Sequence, residues 1–158
     1  MFELVGHPLR AVQSSWRAVD VAALVLRGVL GVVFVAHGSQ KLFGWFGGGG
    51  ISGTTAYLHT IGIPAPHVFV YVVGITEFFG GVVLLAGFLT VVATIGLITD
   101  MAVAIATVSH AFSFFSQPKV GYGWELNFAL IGLAVALLVM GPGAWSLDAV
   151  LGLTRRPQ

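Results

Sequence analysis

Four stretches of the chain are apolar almost without interruption, and glycine-rich or polar segments separate them. The first runs over about 20–43, starting at Asp20, a residue type suited to a helix N-cap. The second covers 65–86, the third 89–112 and the fourth 124–140. A bilayer's hydrocarbon core takes about 20 apolar residues per helix, so the pattern predicts four membrane-spanning helices. The tract 47–50 is all glycine and does not read as regular helix. Residues 54–61 read as a short helix, closed by Pro64 and Pro66. A charge-free turn at 87–90 joins spans two and three, and 113–122 is a polar break containing Pro118. Gly141-Pro142-Gly143 ends span four, and 145–153 reads as an interfacial tail helix.

Three charges break into these runs: Arg27, Glu77 and Asp100. A charge at bilayer depth costs on the order of 3 kcal/mol on insertion scales, so it faces a partner or a cavity. At about 1.5 Å of rise per residue, Glu77 and Asp100 both fall near the midplane. Arg27 is long enough to reach either, and the expectation is an Arg27–Glu77 pair. On span one Arg27, Gly31, Phe34, Gly38 and Lys41 form one stripe; on span two Gly74, Glu77 and Gly81 do. Ala93, Gly96, Asp100, Ala104 and Thr107 line up on span three, and Glu125, Ala129, Gly132 and Ala136 on span four. Small residues let membrane helices approach, so the charged stripes are expected to be the packing stripes as well.

Composition sharpens this reading. Of 158 residues 57% are hydrophobic and 8% charged, against about 25% charged in a soluble domain, and mean hydropathy is +0.97. The fold expected is an all-α integral membrane four-helix bundle. Residues 1–20 read as an interfacial or disordered lead-in, 21–148 as the membrane domain and 149–158 as a cytoplasmic tail. A formal charge of +1 offers no basic face for nucleic acid, and the lipid bilayer is the expected partner. With no cysteine, thiol chemistry must come from elsewhere. Arg10, Arg17, Arg155 and Arg156 at the termini outnumber Lys41 and Lys119 on the other side, which places both termini in the cytoplasm.

Two candidate sites follow. Arg27, Glu77 and Asp100 form either a structural ion set that fixes bundle register, or a proton-handling site beside a redox ligand, or an ion pathway. His37, Lys41 and Glu125 fall near the outer bundle end, with His110 on the same side. They either bind a quinone head and relay a proton, or seal the bundle end by hydrogen bonding. His37 and His110 lack paired ligand spacing, so no metal site is expected.

The residues 37–48, His-Gly-Ser-Gln-Lys-Leu-Phe-Gly-Trp-Phe-Gly-Gly, resemble the end of span one in the DoxX family. Arg27 stands where that family has its span-one arginine. Glu77-Phe78-Phe79-Gly80-Gly81 and 84–90 resemble its second-span signature; Glu125-Leu126-Asn127, Gly141-Pro142-Gly143 and Ser146-Leu147-Asp148 resemble its fourth span and tail. Val91 departs from it, since relatives often carry a basic residue there, and Asp100 has no assigned family position. The resemblance implies a multi-pass protein of the bacterial inner membrane, linked to thiosulfate:quinone oxidoreduction or to oxidative-stress complexes. Together with the two charge sets it points to a quinone as cofactor, with Glu77, Arg27 and Asp100 as the catalytic set, Asp100 on its burial alone, and His37, Lys41 and Glu125 binding the quinone. Soluble redox enzymes and a second copy of the chain are the partners to expect. The alternatives are a non-catalytic scaffold that docks such enzymes or binds lipid, and a small proton-coupled transporter.

Overall fold

The computed structural model describes residues 8–109, 114–115 and 123–154. The fold is all-α, with no strand among the described residues. Helix α1 is Pro8–Phe43, α2 is Gly50–Thr60, α3 is Pro66–Ala86, α4 is Thr90–Ala104, α5 is Glu125–Met140 and α6 is Leu147–Val150. A 3-10 turn, Trp45–Gly47, links α1 to α2, and α4 continues into the π-helical stretch Ile105–Ser109. Trp16–Phe43, Pro66–Ala86 and Thr90–Thr107 are each long and apolar enough to cross a membrane. The fourth bundle helix, α5, has 16 residues, about 24 Å at 1.5 Å per residue.

The boundaries follow local chemistry. Pro66 sits in the first turn of α3, where its missing N–H is harmless. Gly87 ends α3 in the left-handed region (φ +66°), its N–H donating to the Leu84 carbonyl while Phe88 N–H donates to Val83. Asp20 does not start a helix, because α1 already runs through it from Pro8; its carboxylate instead accepts the Ala144 N–H at 2.8 Å. The break at 113–122 lies largely outside the described residues, as do His7, His110, Lys119, Arg155 and Arg156.

Helices α1 and α3 pack antiparallel at close range. A Cβ on Gly31 would meet Leu85, one on Gly38 would meet Phe78, and one on Gly74 would meet Leu42. Each step along α1 is thus matched by an equal step back along α3. Here the expected stripe is the packing stripe: Arg27, Phe34 and Gly38 are buried on α1, and Gly74, Glu77 and Gly81 on α3. The expectation fails elsewhere. On α4 the buried positions are Thr90, Thr94, Leu97 and Met101, with Ala93, Gly96 and Asp100 on the flank. On α5 Leu130, Ala134 and Leu137 face inward, and Ala129, Gly132 and Ala136 are exposed. Glycine brings two backbones together only where both helices carry small residues; α4 and α5 join the bundle through larger side chains. Leu30, Phe34, Leu84, Leu97, Leu130 and Leu137 build that four-helix core. Outward, Val32, Val72, Val92 and Val139 are exposed, as a lipid-facing surface should be.

Candidate functional site

The expected Arg27–Glu77 pair does not form. The α1–α3 register sets Arg27 level with Leu89, twelve residues past Glu77, which is about 18 Å along the axis at 1.5 Å per residue. The cation at Glu77 is Lys41, whose Nζ lies 2.5 Å from Oε2. Glu77 is 3% exposed and Lys41 27%, so a buried carboxylate meets an ammonium that still reaches the edge of the bundle. Because α1 ends at Phe43, level with Val73, its last turn carries Lys41 to mid-height on α3 rather than to the membrane surface.

Asp100 completes the cluster from α4. Leu97 packs against Gly80, and three residues on from Leu97 and back from Gly80 are Asp100 and Glu77. Asp100 lies within side-chain hydrogen-bonding range of Glu77 and feels the charges of both Glu77 and Lys41. Its Oδ2 is buried without a hydrogen-bond partner. His37, one turn before Lys41, feels the same two charges. Glu125 opens α5, where its N–H donates to the Phe114 carbonyl at 3.1 Å. The two sets expected from sequence are therefore redistributed. Glu77 and Asp100 join Lys41 and His37 in one cluster drawn from three helices, and Arg27 stands apart.

Chemically, the cluster sets two carboxyl groups and an ammonium side by side in an apolar bundle. A hydrogen bond between two carboxyl groups needs a proton on one of them, since an ionised carboxylate only accepts. Moving that proton between Glu77 and Asp100 requires no backbone movement, and Lys41 holds the remaining negative charge.

Arg27 belongs to a second polar assembly at the Gly87 end. It is 1% exposed, and its Nη2 donates to the Trp145 carbonyl at 2.5 Å. The nearby countercharge is Asp148. The Asp148 carboxylate accepts the Leu89 N–H at 2.7 Å and the Thr90 N–H at 2.9 Å, while its own N–H donates to Gly87 at 2.9 Å. Ser146 caps α6, donating to the Gly143 carbonyl and accepting from Ala149 N–H. The segment after α5 is thus tied to the bundle through Asp20, Arg27 and the α3–α4 turn. Asp148, Ser146 and the new role of Asp20 escape a reading by runs and stripes. One signal was available: Gly87-Phe88-Leu89 offers no capping side chain to α4, and bare N–H groups at a helix start in a membrane need an acceptor from elsewhere.

Comparison with known proteins agrees with this architecture. The DoxX family model matches residues 22–110. Inner membrane protein YqjF of Escherichia coli is 33% identical over 84% of this chain and 93% of its own length. Uncharacterized membrane protein Rv3486 of Mycobacterium tuberculosis is 34% identical over 80% of this chain and 79% of its own. The Bacillus subtilis protein named "Putative oxidoreductase CatD" is 25% identical over 84% of this chain and 88% of its own. No solved structure matches the chain.

Proposed function

The chain belongs to the DoxX family and is a multi-pass protein of the bacterial inner membrane, and on that premise we propose that it is the membrane subunit of a redox system. In this reading the Lys41–Glu77–Asp100 cluster takes up and releases the protons that accompany electron transfer to a quinone. The observation that carries it is the meeting of Glu77 and Asp100 beside Lys41 in the middle of the bundle. A structural ion pair needs one carboxylate; the second adds a proton acceptor that pairing does not require. The name of the B. subtilis relative points in the same direction.

A quinone, when bound, supplies the two-electron carrier. Lys41 is the partly open member of the cluster that would meet such a group, with the Asp100 Oδ2 buried beside Glu77. Asp100 holds or receives a proton at that oxygen, Lys41 stabilises the developing negative charge, and His37 orients or relays. With no cysteine in the chain, electrons enter from a partner or a substrate in this reading. Both termini lie in the cytoplasm in this reading. Lys41 is engaged inside the bundle, so the outer side keeps only Lys119 against four terminal arginines.

A second reading, a non-catalytic scaffold that docks enzymes or binds lipid, draws on the tail. Trp145, Leu147 and Val150 are exposed there. Quinone extraction and stopped-flow proton uptake on purified protein in nanodiscs test the first reading. Bound quinone with reduction-linked proton uptake, lost in Glu77→Gln and Asp100→Asn variants that remain folded, supports it. Absence of quinone together with full complementation of a deletion strain by both variants replaces it with the scaffold.

A further inference from the structure

The stretch 141–153 is inverted relative to an element that meets water. Its polar side chains, Ser146 and Asp148, are buried, while Trp145, Leu147, Val150, Leu151 and Leu153 face outward, Val150 at 78% exposure. Asp148 is the only charged residue between Gly141 and Thr154, so the outward face carries no charge. The main chain is closed as well. Every N–H from Asp148 to Leu153 donates within the protein, to Gly87, Ser146, Leu147, Ala149 and Asp148. A docking face for a soluble partner is ringed by polar side chains. A surface in lipid needs no such rim but must satisfy its backbone internally.

Position points the same way. Helix α3 has 21 residues, about 31 Å at 1.5 Å per residue, close to a hydrocarbon core of about 30 Å. Its end at Ala86 therefore marks one boundary of the core, and the stretch is tied to that level. The Asp148 N–H donates to the Gly87 carbonyl, and its carboxylate accepts from Leu89 and Thr90. On α1 the stretch lies at Asp20 and Ala23, which a Cβ on Gly143 would meet. The outward residues of α1 there, Val21, Leu24 and Val25, belong to a helix long and apolar enough to cross the membrane. The stretch thus runs beside a lipid-facing length of α1.

We propose that residues 144–153 are seated in the bilayer, at the boundary between headgroups and acyl chains on the side of the chain termini. Phospholipid, not a soluble enzyme, covers Trp145, Leu147 and Val150. Of the aqueous tail expected from 149 onward, the part up to Leu153 then belongs to the membrane surface. Lipid holds one face of this stretch, while its other face answers Arg27 and caps α4. The proposal does not depend on the redox reading, and it competes with the scaffold reading for the same side chains.

The chain has no cysteine, so Leu147→Cys and Val150→Cys each take a single nitroxide label. The test is the depth of each label in the full chain, in nanodiscs of phosphatidylcholine and phosphatidylglycerol, read from collisions with oxygen and with an aqueous nickel chelate. Lipids labelled at the headgroup and along the acyl chain calibrate it, and Ile75→Cys, outward at mid-height of α3, gives the deep limit. Both sites should read below the headgroup standard, by about 5–10 Å, with an oxygen-to-nickel ratio several-fold above it. Leu151→Cys, also outward, stands in for either variant that fails to fold. Nickel collisions at either site equal to or above those of the headgroup standard place this face in water, open to a soluble partner, and overturn the inference. Only depth is read, so the outcome leaves the proton-handling proposal to its own test.

Discussion

The ammonium of Lys41, two residues from the end of α1, lies 2.5 Å from the carboxylate of Glu77 at the middle of α3. The pair is unequal in burial, and its two halves should respond unequally to mutation. Lys41→Met leaves Glu77 buried beside Asp100 with no cation, and should cost about 3–5 kcal/mol. Glu77→Gln should cost less, because Lys41 can turn toward the bundle edge and still feels Asp100. The double variant Lys41→Met with Glu77→Leu should be more stable than Lys41→Met alone. Thermal unfolding in detergent measures all three, and strictly additive losses would refute the pairing energetics.

Asp148 should matter to α4 more than its place in the tail suggests. Asp148→Ala removes the acceptor for two N–H groups, at about 1–2 kcal/mol. It also frees Leu89, whose left-handed backbone (φ +46°) stores about 1–3 kcal/mol of strain. Adding Leu89→Gly should therefore recover part of the loss. Denaturation of the single and double variants decides; no recovery would mean that the turn is held by other contacts.

Two glycines make a matched comparison. At Gly87 the backbone is left-handed, and a Cβ would run into the Arg27 guanidinium and Ser146. Gly132 sits in helix α5 with nothing within 4 Å of its would-be Cβ. Gly87→Ala should strongly reduce folded yield, whereas Gly132→Ala should gain about 0.5–1 kcal/mol. Size-exclusion yield and melting temperature read both.

The absence of native cysteine makes topology simple to probe. Thr60→Cys on α2 and Leu153→Cys in the tail place single thiols at exposed positions. An impermeant maleimide applied to intact cells should label Thr60→Cys and spare Leu153→Cys. The opposite pattern inverts the cytoplasmic assignment of the termini.

How far the sequence carries depends on which level of structure is asked for. The apolar runs and the Gly87 and Gly141 stops locate α3, α5 and the start of α4 within a residue or two, since length and glycine chemistry are local properties. The meeting of Glu77 with Asp100 follows from equal depth on neighbouring helices. The partner of Glu77 does not, because it turns on where α1 stops relative to α3. That register is set by Gly31, Gly38, Gly74 and Gly81 fitting one against the other, a property of two helices jointly. The same register carries Arg27 to the level of Leu89, away from Glu77. Small residues do not mark the inward face of α5, because Leu130 and Leu137 fill the core there.

The bond from Arg27 to the Trp145 carbonyl joins residues 118 apart. At about 5–20 residues per second, roughly 6–24 s of translation separate the two. During that interval the insertion machinery handles α1 with an unanswered guanidinium and α4 whose first N–H groups still await Asp148. Biogenesis must therefore shelter these groups in water, headgroups or a holdase until Trp145 and Asp148 emerge. A nascent chain stalled before Trp145 would present to quality control an Arg27 that the finished protein conceals.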